Sequence, residues 1–264
     1  MTSLSGYDAF LELAKRADES KNYEAAIPQL NKLPELLKHW SATKEQSRTL
    51  YLLAYRIFSG AHRQVEAYES LVRHLAMTEE ASGEDTSALA VQAAVEAIRL
   101  PQVVQLDGLL GLPAIQQLAT SQPQLFALLK IFAEDSLSAY TQFHQSHPGF
   151  LESVGLTHEE CLRKQRVLAL AGLASGREEL SYAQVAQELG VEEGEVEAWV
   201  IEAVGAGVVD ARLDQTRRVV LVNHVTLRTF TAEHWQQMSS RLALWKDNLV
   251  SLLEVVQQNK KLAA

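Results

Sequence analysis

Apolar residues recur along most of the chain at steps of three and four, the period that gathers them on one face of a helix. Phe10, Leu11, Ala14 and Ala17 form a first stripe. Leu30, Leu33, Leu37 and Trp40 form a second, with Pro28 and Pro34 at turns or helix starts. Thr43 followed by Gln46 has the spacing of a capping box and opens a helix through Leu50, Leu53, Ala54 and Ile57, which Gly60 ends. Val65, Tyr68, Leu71, Val72 and Leu75 continue the series. Ser82-Gly83-Glu84-Asp85 reads as a polar turn, and Leu89 to Leu100 as a helix stopped by Pro101. Residues 123–140 extend the pattern until Pro148-Gly149 interrupts it. Helices of this length with short connections pair antiparallel and stack into a TPR- or HEAT-like rod, here without a strict repeat motif.

The pattern changes from Thr157. Thr157 and Glu160 cap a helix through Leu162, Val167, Leu168, Leu170 and Leu173, closed by Gly176. Ser181 and Gln184 open a short helix from Tyr182 to Leu189, and Gly190 supplies a turn. A third helix, from about Glu193 to Val204, points Val196, Trp199, Val200 and Ala203 inward before Gly205 and Gly207 end it. Two β-like runs follow, Val208 to Leu213 and Arg218 to Asn223, joined by a turn at Asp214-Gln215-Thr216-Arg217. Three helices and a hairpin in this order predict a winged helix.

Winged helices commonly lay the third helix in a DNA major groove, and charge argues against that here. The chain has a formal net charge of -9. Between Glu178 and Asp210 it carries Glu178, Glu179, Glu188, Glu192, Glu193, Glu195, Glu197, Glu202 and Asp210, with no Lys or Arg. Such a surface repels phosphate, although some of these carboxylates also suit the positive start of a helix. Arg212, Arg217, Arg218 and Arg228 cluster around the wing and are candidate contacts to RNA or to an acidic protein face, or plain solvated turn residues.

The last helix, from about Thr231 toward Leu262, carries Trp235, Met238, Leu242, Trp245, Leu249, Leu252 and Val256 at alternating steps of three and four. This is the seam of a coiled coil or bundle. Trp235 and Met238 are expected to pack back on the winged helix, and Trp245 to Val256 to enter a partner bundle. The tail Asn259-Lys260-Lys261-Leu262 is expected to fray.

No enzymatic chemistry stands out. His144 and His147, and His158 and Cys161, are each three residues apart, but neither pair has the further ligands of a metal site. Cys161 is the single cysteine, so no intramolecular disulfide forms. It reads as a buried thiol, with a reactive thiolate at the helix start as the alternative. No phosphate loop, nucleophile elbow or paired-His metalloprotease motif is present. No cofactor is expected. The absence of a secretory leader and of a bilayer-length apolar run predicts a cytoplasmic protein.

Helical repeats, a winged helix and a terminal helix are the arrangement of the PCI-domain family, found in the proteasome lid, the COP9 signalosome and eukaryotic translation initiation factor 3. The stretches Leu213 to Val220, Asn223-His224, Arg228-Thr229-Phe230, Trp235-Gln236-Gln237 and Leu244 to Leu249 resemble its subunit M branch from initiation factor 3. So do Phe150 to Leu156 and Glu197 to Val204, and more weakly Thr43 to Leu53. The Leu-Asp-Gln wing also resembles a signalosome subunit; the Trp-Gln-Gln and Trp-Lys-x-Asn-Leu helix favours subunit M.

The resemblance implies helical repeats over 1–156, with the PCI module starting at about 65, a winged helix over 157–230 and a bundle helix over 231–264. It implies a non-catalytic scaffold subunit. Its partners would be other PCI and MPN subunits, with the small ribosomal subunit reached through the complex, and no membrane or DNA. It also implies a longer N-terminal helical region in family members. A signalosome or lid subunit, or an RNA-binding winged helix, are the alternatives.

Overall fold

Capping and apolar periodicity set the helices. In the computed structural model, which describes residues 2–78, 84–134, 136–228 and 232–262, the first are α1 (Thr2–Ser20), α2 (Ile27–Leu30), α3 (Leu33–Trp40), α4 (Lys44–Gly60), α5 (Gln64–Ala76) and α6 (Glu84–Arg99). Thr43 Oγ1 accepts the Gln46 N–H and Gln46 Oε1 accepts the Thr43 N–H, so the capping box is formed. α1 buries Ala14 and Ala17 against α3 and α4, and the Trp40 ring packs on Tyr7 and Phe10. Gly60 is the last residue of α4 and not its stop signal. A Cβ there would come 2.5 Å from the Tyr23 ring, so glycine admits that ring, while His62 takes the left-handed turn at φ 58°. Glu84 and Asp85, expected in a turn, lie in the first turn of α6; Ser82 and Gly83 lie outside the described residues.

Residues 101–122, which show little periodicity, fold into three single turns, α7 (Asp107–Leu110), α8 (Pro113–Gln116) and α9 (Leu118–Ser121). The stretch 123–140, expected to continue the helical pattern, is split into α10 (Pro123–Glu134) and α11 (Leu137–Ser146). Gly149, with φ 79°, leads into α12 (Phe150–Ser153). α6 runs through this stack, packing on α5, α8 and α10 with Ala90, Ala93, Ala94, Ala97 and Ile98 fully buried.

α13 (His158–Ala174) starts at the Thr157–Glu160 capping box. It packs on α6 and α11 on one side and on α14 (Tyr182–Leu189), α15 (Val196–Gly205) and β3 on the other. α14 has its Ser181–Gln184 box, and a 3-10 turn at Glu193–Glu195 precedes α15, so the third helix begins later than the spacing suggests. The sheet is antiparallel in the order β1-β3-β2, from β1 (Glu179–Ser181), β2 (Val209–Asp214) and β3 (Val219–Val225). β1 carries no sequence signal of its own. It exists because Leu180 pairs with Val220 and is buried there.

Lys164 fixes α13 to α6. Its side chain is buried, and Nζ donates to the carbonyl of Ala97 and, at 2.7 Å, to that of Leu100, which also accepts the Val103 N–H, at the C-terminal end of α6. Nearby, Arg99 Nη2 donates to Gly155 O at 2.6 Å. Cys161 is buried on the same helix, and burial pushes its thiol up to about 12, so the reactive-thiolate alternative does not hold. The tail of the chain is one helix, α16 (Ala232–Leu262), which continues through the segment expected to fray. The chain divides into two units, Met1–Arg228 and Thr229–Ala264.

Burial lowers the Lys164 pKa to about 7, against about 10.4 for a free lysine. Between those values the unfolded chain holds a proton that the folded chain has lost. Stability therefore rises with pH across this window and is lost as pH falls through about 7. Either protonation state keeps donors for both carbonyls. Cys161 acts in the opposite sense only above about 8.5, the pKa of a free thiol. Denaturant unfolding from pH 7 to 8.5 should show stability rising by at most about 1.4 kcal/mol per unit. Lys164→Met should be less stable and lose that slope; an unchanged slope would rule out titration of this amine.

Candidate protein-binding surfaces

α15 occupies the place where a DNA-reading helix would lie, and its chemistry is not that of a DNA reader. Val196, Val200 and Ala203 face the core. Trp199 is half-buried, with the Arg166 guanidinium 4.9 Å from its ring centre. Ala198, Ile201, Val204 and Gly205 are exposed. The carboxylates beside them tie the domain together. Glu202 accepts both Nε and Nη2 of Arg163, at 2.6 and 2.5 Å. Glu197 accepts the Tyr182 hydroxyl at 3.1 Å and the Gln215 amide at 2.9 Å.

The four wing arginines do not form one patch. Arg217 and Arg218 sit at the hairpin turn, which the Asp214 carboxylate closes by accepting the Arg217 N–H at 3.0 Å. Arg217 Nη2 donates to Glu179 at 2.8 Å, and Arg218 pairs with Glu193 at 3.2 Å, close to the Tyr182 ring. Arg212 is exposed on β2, opposite Leu221. Arg228 lies beyond the far end of β3, beside Gly172 of α13. Arg217 and Arg218 are thus engaged with the acidic surface of their own domain. Sequence spacing could not reveal this, because Glu179 and Glu193 approach the hairpin only through tertiary packing.

The His and Cys pairs are also placed. The rings of His144 and His158 stack at 3.9 Å, and the buried Tyr140 hydroxyl lies 2.8 Å from His158 Nδ1. Burial lowers the His158 pKa, and the neighbouring His144 adds to that. His147 lies against Phe143. Among the described residues, no group of three or more His, Cys, Asp or Glu is placed to hold a metal ion. Nor is any helix there long and apolar enough to cross a membrane.

The main apolar surface is on α16. Trp235, Met238, Leu242, Trp245, Leu249 and Leu252 are exposed, Trp245 at 72% and Leu242 at 60%. The side chain of Val256 lies outside the described residues. Val250 and Leu253 are exposed as well and, at 3.6 residues per turn, widen the distal stripe to one side, while Leu244 projects from another face. A band this wide exceeds the seam of a two-helix pair and suits a helix with more than one neighbour. The widening was legible in the sequence at Val250 and Leu253, although the stripe of threes and fours passes over both.

Residues 144–224 match the PCI domain family, and residues 228–256 match the family described as eIF3 subunit M, C-terminal helix. Curated relatives are each called eukaryotic translation initiation factor 3 subunit M. The protein from Dictyostelium discoideum is 35% identical over 98% of this chain, that from Phaeosphaeria nodorum 34% over 97%, and that from Homo sapiens 31% over 92%. The chain is similar over nearly its whole length to the subunit M family of PCI-domain proteins. It spans 65%, 59% and 64% of those three relatives' lengths. The subunit M helix match falls on the apolar band of α16, and the PCI match takes in α13, α14, α15 and the sheet.

An acidic α15 predicts no counterion-driven attraction to DNA. A low-salt titration of the chain with duplex DNA should give no saturable isotherm. Saturable binding that weakens as salt rises would reverse this assignment of the helix.

Proposed function

We propose that the chain is a non-catalytic scaffold subunit of the eukaryotic translation initiation factor 3 complex, supporting preinitiation-complex assembly on the small ribosomal subunit. In this reading, residues 1–156 are a helical stack, 157–230 the winged helix of the PCI module and 231–264 a bundle helix. The partners are other PCI and MPN subunits, the ribosome is reached through them in the cytoplasm, and no cofactor takes part. The observation that carries the reading is the exposed apolar band of α16, on a helix that matches the subunit M C-terminal helix. Apolar area of this kind is favourable to bury at roughly 25 cal/mol per Å², and exposed tryptophans are frequent anchors of interfaces.

Affinity purification from the native cell should recover other initiation factor 3 subunits together with small-subunit ribosomal proteins. Recovery of signalosome or proteasome-lid subunits in their place would overturn the assignment. The double variant Trp245→Ala with Leu249→Ala should lower recovery of those subunits about tenfold or more, with thermal unfolding of the isolated chain little changed. A matching loss of unfolding temperature would mean that the band is internal core.

A further inference from the structure

The outer face of α15 combines three features that the scaffold reading does not use. First, it is apolar and open. Ile201 is 63% exposed and Val204 40%, beside the exposed Ala198. Second, one glycine on this face and one in the turn before it lack an internal reason to be glycine. Gly205, within α15, and Gly194, just before it, are exposed and have no positive φ, and a Cβ at either would meet nothing within 4 Å. Glycine weakens a helix relative to alanine, and here nothing in the chain's own packing compensates. A missing side chain on an outer face lets another backbone approach closely.

Third, the face has a negative frame. At 100° per residue, Ala198, Ile201 and Gly205 lie side by side, with Glu195 and Glu202 along one edge and Glu197 along the other. Glu188 and Glu192 are exposed in the preceding segment. The only cation paired to these flanking groups is Arg163, on Glu202, among the described residues.

We propose that this face docks a cationic amphipathic helix of another protein: a stripe of alanine or leucine seated on Ile201 between Ala198 and Gly205, with lysines or arginines on its flanks meeting Glu195 and Glu197. The charge selects a basic partner and excludes nucleic acid. The glycines select a partner that comes close enough to bring its backbone against α15. The surface is built from residues of α15 and the turn before it and from none of the α16 band, so it is tested independently of the bundle.

The test uses the full chain and a synthetic amphipathic helix with an alanine–leucine stripe flanked by lysines. A control peptide has glutamates in place of the lysines. The lysine peptide should bind with an affinity that falls as salt rises, and the glutamate peptide should not bind. Ile201→Asp and Gly205→Leu should each weaken binding about tenfold or more, and Gly205→Leu should leave thermal stability the same or higher, since its side chain meets open space. Leu249→Ser on α16 should leave peptide binding unchanged. Equal binding of both peptides, insensitivity to Ile201→Asp and Gly205→Leu, or binding that follows Leu249 would each overturn the proposal.

Discussion

A buried lysine side chain holds the first unit of this chain together. The helical stack ends against the winged helix at the C-terminus of α6, where backbone carbonyls have no partner within their own helix. Lys164 comes from α13 and donates to Ala97 O and to Leu100 O just past the helix, which the Val103 N–H also reaches. Buried carbonyls left without donors are costly, and a lysine beside the negative end of a helix dipole is favourable. The contact also fixes the register of α13, which packs on α6 and α11 on one side and on α14, α15 and β3 on the other. The position of the winged helix on the stack follows from that one helix. Arg99, donating to Gly155 O, secures the turn that leads into it.

The charge arrangement has a similar logic. The winged-helix region is rich in acid and poor in base, and the arginines within reach are drawn into it: Arg163 to Glu202, Arg217 to Glu179, Arg218 to Glu193. These pairs are largely exposed, and each adds little stability. Their effect is on recognition. They engage the two hairpin arginines with carboxylates of their own domain and leave α15 with an apolar, negatively framed outer face. A fold widely used to read nucleic acid is here chemically suited to protein.

α16 poses the opposite problem. It is a helix with an exposed apolar band among its described residues. Trp245, Leu249 and Leu252, widened by Val250 and Leu253, form a broad exposed apolar band. The match to the subunit M C-terminal helix falls on this segment, apart from the PCI match.

The sequence alone determined most of the longer helices, three of their caps and the winged-helix order. The three capping boxes at Thr43, Thr157 and Ser181 depend on residues three apart, and apolar stripes depend on steps of three and four; both are local rules. The family was legible for the same reason, since its motifs are contiguous. Tertiary structure alone decided the rest. β1 is a strand only because β3 offers Val220 as a partner for Leu180. Lys164 looks like any lysine on a helix until α6 brings two carbonyls to it. The wing arginines look like a basic cluster until packing sets Glu179 and Glu193 beside two of them. In each case the deciding partner is distant along the chain, and only the folded backbone brings the two together.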